Sequence, residues 1–342
     1  MLTETYRNRE VQLRSRSRGM PQPENFIVAE QPLPRRAAHQ LLVRNRWQRV
    51  SISTRLMMSE EAEGVKGIPF PPLQIGDTLA DAAIGEVIAA PAGSALRPGD
   101  VVLHGLGWRE YALLTPEQCT PLGNTLRDPA AYLGHGWTAY AALTRGTQIR
   151  PGDRVLVTSG AGAIGSMAGQ IARLLGAATV AGSCGSQSKA AWMRQALGYD
   201  AVAVRGEGPF AELLARCLPD GIDVLVDIVG GEQLEAAVSQ AREGARYVLM
   251  GALSAELAKN QSTKFAPVEV DAFALIVKGV TMRGYSADDH PEVFDEWIAR
   301  LADPAWAGLT FPSTRYYGLE AAPQALADAC SGKARGVVIV EL

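Results

Sequence analysis

Near residue 130 the apolar positions of this chain change rhythm. Before it, short apolar runs alternate with turn chemistry. Val11-Gln12-Leu13, the run over 40–44 and Ile84-Gly85-Glu86-Val87-Ile88 read as brief strands. Pro98-Gly99 turns into another strand over 101–103, and the stretch 107–114 makes a further one. Met20-Pro21-Gln22-Pro23 and the proline-rich stretch 68–73 are loops, because consecutive prolines lack the N–H donor and fix φ. So many strands and turns in so short a span predict a compact β-rich domain with a sheet of its own.

From 130 onward the pattern becomes periodic. The run 130–143 reads as a helix, and Arg150-Pro151-Gly152-Asp153 turns the chain into a strand over 155–158. Helices over 166–175, 189–197, 210–217 and 233–241 then alternate with apolar strands over 178–181, 201–204, 224–228, 246–250 and 280–283. Continuous apolar strands separated by helices predict a doubly wound parallel sheet with right-handed crossovers, an α/β fold. An amphipathic helix over 292–301 carries Phe294, Trp297, Ile298 and Leu301 on one face, which is core packing. A helix beginning near Gly318 stops at Gly332, and Val337-Val338-Ile339-Val340 is a closing strand that can return to the first domain.

The most informative stretch is the first strand–helix junction of this second part. Gly160, Gly162 and Gly165 fall on the spacing G-x-G-x-x-G, directly after the strand 155–158 and before a helix. Gly160 permits a sharp turn, Gly162 lets backbone approach a diphosphate, and Gly165 lets the helix lie against the sheet. With Ala163 and Ile164 they present the N–H groups and positive dipole end of that helix to an anion. The order of elements therefore predicts a dinucleotide site.

Which dinucleotide follows from the end of the second strand. An NAD-binding fold places a carboxylate there, about twenty residues past the glycines, to accept the ribose hydroxyls. This chain has Ala181-Gly182-Ser183-Cys184-Gly185-Ser186, without an acid. Ser183 and Ser186, with Lys189 in the next helix and Arg205 after the third strand, suit a 2′-phosphate, so the expected cofactor is NADPH/NADP.

Composition narrows the class rather than the chemistry. The 342 residues are 47% hydrophobic and 20% charged, with a net charge of −3, which gives no electrostatic reason to expect nucleic acid. The chain carries no apolar run of the roughly 18 residues that span a bilayer, and its polar, arginine-rich start lacks a signal-peptide core. Cys119, Cys184, Cys217 and Cys330 are widely separated, which suggests reduced thiols and a cytoplasmic protein. His39, His104, His135 and His290 are not grouped at ligand spacing, so no metal is expected.

Together these residues resemble the zinc-independent medium-chain dehydrogenase/reductase superfamily, in its prostaglandin reductase, leukotriene B4 dehydrogenase and curcumin reductase branch. The resemblance is carried by Met20-Pro21-Gln22-Pro23-Glu24-Asn25-Phe26, Leu42-Val43-Arg44-Asn45, Arg97-Pro98-Gly99-Asp100 and Gly107-Trp108-Arg109-Glu110-Tyr111. It continues through Pro219-Asp220-Gly221-Ile222-Asp223-Val224 and Asp227-Ile228-Val229-Gly230-Gly231 to Gly251-Ala252-Leu253-Ser254. It implies a GroES-like β-rich domain over 1–125, completed by 300–342, and a Rossmann NADP-binding domain over 126–299. It also implies a homodimer, a substrate cleft, and metal-free reduction of a small hydrophobic α,β-unsaturated carbonyl by NADPH.

The resemblance also implies site residues. Thr138, Gly251, Ala252, Leu253 and Tyr285 fall where the family contacts its cofactor, and Arg55 is the one residue retained from an Asp-Pro-Tyr-Met-Arg-like run. The chain departs from the family where Ile228 replaces an asparagine, Val204 a tyrosine, and Glu256 the tyrosine expected near substrate. His135, Tyr285 and Arg55 are then the candidate catalytic groups. His135 is either a hydrogen-bond or proton donor or a packed histidine; Tyr285 stacks or orients; Arg55 faces substrate or ties two loops. Reduction of a quinone, ketone or imine, or silent NADPH binding, remain the alternatives to enone reduction.

Overall fold

The computed structural model describes residues 7–17, 19–58, 72–123, 128–257 and 265–342. They open with β1 (Arg7–Leu13), β2 (Phe26–Pro32), β3 (Leu41–Val50) and the short α1 (Thr54–Met57). β4 (Ala83–Ala89), β5 (Val101–His104), β6 (Tyr111–Leu114), β7 (Thr120–Pro121) and α2 (Ala130–Leu133) follow. Next come α3 (Gly136–Ala141), β8 (Arg154–Val157), α4 (Gly165–Leu174), β9 (Thr179–Cys184), α5 (Gln187–Leu197), β10 (Ala201–Val204) and α6 (Phe210–Cys217). β11 (Ile222–Asp227), α7 (Gly231–Ser239), β12 (Ala241–Leu249), α8 (Leu253–Glu256), α9 (Ala272–Lys278), β13 (Thr281–Gly284) and α10 (Glu292–Leu301) continue the alternation. The chain ends through β14 (Ser313–Tyr317), α11 (Ala322–Cys330) and β15 (Val337–Glu341).

Two compact units result, Met1–Leu133 with Ser313–Leu342, and Gly134–Pro312. In the first, a sheet in the order β14-β15-β3-β4-β5-β7, with β6 also paired to β3, accompanies the β1-β2 hairpin. The closing strand β15 therefore lies beside β3, antiparallel to it, from Val338 opposite Val50 to Glu341 opposite Trp47. Its core includes Leu41, Val43, Val87, Val102 and Leu114, the inward positions of period-two strands.

In the second unit, a parallel sheet runs in the order β10-β9-β8-β11-β12-β13. The chain winds outward from β8 to β10, returns across the sheet and winds out again from β11 to β13. That is the order of a dinucleotide-binding sheet, with its switch point between β8 and β11. Leu156, Leu225, Tyr247, Phe210 and Leu214 fill its interior, so the strands are buried and read as continuous apolar runs. No helix among the described residues is long and apolar enough to cross a membrane.

The structure revises several expectations. The run 130–143 is not one helix but α2 and α3, broken at Gly134-His135, where His135 adopts φ −93 and ψ 30. Gly136 is demanded by packing, because a Cβ there would lie 2.4 Å from the Trp297 ring. After Ala141 the helix widens into a π-turn over Ala142–Gly146, closed by the Thr147 N–H on the Ala142 carbonyl. The stretch 107–114 is strand only over β6, since buried Trp108 takes φ +60 and gives its N–H to the Gln48 side chain. Prolines 69 and 71 lie outside the described residues.

Candidate functional site

β8 ends at Val157, and the chain turns through 158–165 into α4. Gly165 is required, for a closer neighbour than the sequence pattern suggests, while Gly160 and Gly162 face atoms that are nearer than a side chain prefers. A Cβ on Gly165 would lie 2.2 Å from the Ser159 carbonyl oxygen, and one on Gly160 2.4 Å from the Met193 methyl. The left-handed residue of the turn is Ser159 itself, at φ +52, not a glycine. Beyond it, the Gly162 N–H bonds the Ser159 carbonyl and the Ser166 N–H the Gly162 carbonyl. Among the described residues no acceptor meets the N–H groups of Ala163, Ile164 and Gly165. Such donors, half-buried at Ala163 and Ile164 and buried at Gly165, at the mouth of a ten-residue helix fit a diphosphate.

β9 runs on to Cys184, past the 178–181 that the sequence pattern predicts. Ser183 is therefore inside the strand and 1% exposed. Its hydroxyl accepts the Ser159 N–H at 3.1 Å and donates to Gln233 Oε1 at 2.5 Å, so it faces the turn rather than the solvent side of the strand end. The groups that do surround that end are others. Ser186 caps α5 by accepting the Lys189 N–H at 3.4 Å, and its hydroxyl lies 3.2 Å from that of Ser188. Gly185 carries no side chain beneath Arg205, whose guanidinium lies 3.6 Å from where a Cβ would be. Helix mouth, paired hydroxyls, Lys189 and Arg205 make an anion-accepting end with no carboxylate on the strand.

At the switch point, Asp227 ends β11 with its carboxylate 1% exposed. It accepts the Thr158 hydroxyl at 2.7 Å and the N–H groups of Val229 and Gly230. Burial pushes its carboxyl above the ordinary range, against those hydrogen bonds. The loop it holds carries 251–254: Leu253 and Ser254 donate their N–H groups to the carbonyls of Ile228 and Val229. A Cβ on Gly251 would lie 3.0 Å from the Ile228 carbonyl oxygen, a tight approach that favours glycine there. Glu256 accepts the Ala252 N–H at 3.3 Å and so stabilises its own short helix.

The remaining candidates divide between the units. In the second, His135 Nδ1 lies 3.3 Å from the Thr138 hydroxyl, which orients the ring; Thr138 is buried and His135 half-buried. Tyr285 lies past β13 with its N–H on the Leu249 carbonyl, stacked on His290 at 5.5 Å and flanked by the Arg283 guanidinium. Gly146 makes room for it, since a Cβ there would meet the Tyr285 ring at 3.0 Å. Burial holds the Tyr285 hydroxyl above its ordinary pKa, with Arg145 and Arg283 opposing. Arg55 belongs to the first unit, where its buried guanidinium donates to the Gly19 carbonyl at 3.2 Å and ties α1 to that turn. Among the described residues no three His, Cys, Asp or Glu stand close enough to hold a metal ion.

Comparison with known proteins agrees with this architecture. The family model for an N-terminal domain of oxidoreductase matches residues 9–122, and that for zinc-binding dehydrogenase residues 163–303. The NADP(+)-dependent 2-alkenal reductase of Nicotiana tabacum is 30% identical over 250 residues, 71% of each chain. The chain belongs to the zinc-independent medium-chain dehydrogenase/reductases. Other members cover more of it. The NADPH-dependent curcumin reductase of Escherichia coli is 27% identical over 98% of this chain and 97% of its own. The crystal structure of CurA from Vibrio vulnificus in complex with NADPH superposes with a TM-score of 0.85 at 28% identity, covering 97% and 98% of the two chains.

As a medium-chain dehydrogenase/reductase the chain holds its turn with residues that sequence reasoning passed over. Thr158 and Gln233 carry no family signature of their own, and Asp227 entered only as the first residue of the family-like run Asp227-Ile228-Val229-Gly230-Gly231, with no role assigned. The signal that could have found Asp227 is an acid ending an otherwise apolar buried strand directly before two glycines, where only bonded burial is tolerable. Gly230 and Gly231 both take positive φ there, +70 and +52.

Proposed function

We propose that this chain is an NADPH-dependent reductase that delivers hydride to the β-carbon of a small hydrophobic α,β-unsaturated carbonyl. The observation that carries the reading is the end of β9, whose own residues carry no carboxylate, beneath Ser186, Lys189 and Arg205, set beside a helix mouth where the N–H groups of Ala163, Ile164 and Gly165 meet no acceptor among the described residues. Relatives named for NADPH-dependent curcumin reduction and 2-alkenal reduction support it. The residues fit the cofactor: backbone donors with no acceptor among the described residues for its diphosphate, and two cations with hydroxyls for its 2′-phosphate.

Bound NADPH supplies the hydride. Everything else falls to the chain. The turn over 160–165 and the segment 251–253 hold the dinucleotide in register with the switch point, and Tyr285, fixed by His290 and Arg283, orients its reactive ring. His135, oriented by Thr138, hydrogen-bonds the substrate carbonyl oxygen as negative charge develops there, and a proton then reaches the α-carbon. Arg55 acts at a remove, by shaping the first unit.

Incubating the enzyme with NADPH and a panel of enones, quinones and ketones tests this. Enones should consume NADPH fastest. Turnover of quinones or simple carbonyls alone would replace the reading with the same hydride chemistry on another acceptor. Tight NADPH binding with no turnover would make the chain a silent member of its fold.

We also propose that the protein is a homodimer. The support is α9, whose residues Ala272 to Val277 are all apolar; Leu275 packs on the core while Phe273, Ile276 and Val277 are 74%, 77% and 64% exposed. A helix apolar on every side belongs inside an assembly.

A further inference from the structure

A closed circuit of hydrogen bonds lies behind the diphosphate turn. From Thr158 the hydroxyl reaches Asp227 at 2.7 Å and accepts the Ile228 N–H at 2.8 Å. The Asp227 carboxylate in turn accepts the Gly230 N–H at 3.0 Å, at the start of α7. Two residues into that helix, Gln233 accepts the Ser183 hydroxyl, and Ser183 accepts the Ser159 N–H. Ser159 follows Thr158 in the chain, and the circuit is complete. Its side chains at 158, 183, 227 and 233 are 0%, 1%, 1% and 6% exposed.

None of these side chains offers a group to the diphosphate; those donors are at 163–165. What the circuit encloses is Ser159, an L-residue held at φ +52, a strained conformation that persists only where neighbours over-determine it. Its carbonyl lies directly against Gly165 and accepts the Gly162 N–H. Any rotation of Ser159 therefore swings the helix mouth. The same loop, at Ile228 and Val229, carries Leu253 and Ser254.

We propose that Gln233 and Asp227 are positioning residues for the cofactor: acting through Ser183 and Thr158, they clamp Ser159 and thereby aim the N–H groups of Ala163, Ile164 and Gly165 at the diphosphate. The inference rests on reading that turn as the NADPH site. It predicts that disturbing the circuit damages diphosphate binding while sparing the 2′-phosphate end, whose Ser186, Lys189 and Arg205 stand outside it.

Gln233→Met in the full chain removes the acceptor at similar volume. NADPH and adenosine 2′-monophosphate, which engages only the outer subsite, are titrated separately, with thermal unfolding alongside. NADPH affinity should fall about tenfold or more, adenosine 2′-monophosphate should stay within about twofold, and Gln233→Glu, which keeps an acceptor oxygen, should restore most of the loss. Equal weakening of both ligands, or a folded Gln233→Met protein with unchanged NADPH affinity, overturns the inference. Should that variant not fold, Ser183→Ala removes that bond together with the one from the Ser159 N–H, and is held to the same two outcomes. A wild type indifferent to NADPH would instead remove the cofactor reading, and this inference with it.

Discussion

His104, at the end of β5, is 5% exposed, with Nδ1 accepting the Leu106 N–H at 3.1 Å and Nε2 buried without a partner among the described residues. Burial first, and the nearby Arg109 cation second, push its pKa down from 6.5 to about 4. Below about pH 6.5 the unfolded chain gains a proton at this site that the folded chain refuses until about pH 4, so stability falls as pH drops through that window. Above it both states are neutral and the site contributes nothing to pH dependence. Two and a half units correspond to about 3 kcal/mol as an order of magnitude. His104→Gln should flatten the acid limb of the stability curve between pH 6.5 and 4. Denaturant unfolding at a series of pH values measures this, and an unchanged slope would show that His104 is not the group responsible.

At the level of elements, the proposed cofactor site makes the end of β9 and the mouth of α5 the place that decides between the two nicotinamide dinucleotides. Lys189→Ala should raise the KM for NADPH by about tenfold with little change for NADH, because a charge-assisted hydrogen bond to phosphate contributes roughly 1.5–3 kcal/mol. Arg205 is exposed and its contact screened, so Arg205→Ala should cost less, about threefold. Steady-state kinetics with both cofactors decides; parallel losses for NADPH and NADH would remove these residues from the 2′-phosphate site. The alternation of apolar strands and helices made this architecture legible, and the glycine spacing marked the turn, because period and glycine are local properties. Ser183 was not legible. Whether a strand stops at 181 or at 184 depends on what the next strand pairs with, and β10 pairs Val204 with Cys184, which draws Ser183 inward. Nor could local pattern show that a serine takes the left-handed position, since that is imposed by Ser183 and Gln233 from distant parts of the chain. The demand for glycine at 136, just past the break at Gly134-His135, was hidden for the same reason, being set by Trp297 more than a hundred residues away.

On the scale of the whole molecule, the parallel sheet ends at β13, whose outer backbone edge has no strand beside it among the described residues. An open edge next to an apolar helix is a liability in a lone chain and an interface in an assembly. In the proposed dimer a second copy would satisfy both features at once: about a two-fold axis, β13 would meet β13 antiparallel and each α9 would cover the other copy, an isologous contact that pairs the β13 edge and leaves β10 as the sheet's outer strand. Exposed Phe273, Ile276 and Val277 would supply the apolar centre that a stable interface of roughly 1,200 Å² or more requires. Sedimentation equilibrium should therefore give twice the chain mass of 36.4 kDa. Phe273→Asp combined with Ile276→Asp places charge at that centre and should yield the monomer with its far-ultraviolet circular dichroism intact, since neither side chain packs on the core of its own chain. A monomeric wild type, or a double variant that remains dimeric, would move the interface elsewhere and leave the apolar face of α9 to another partner.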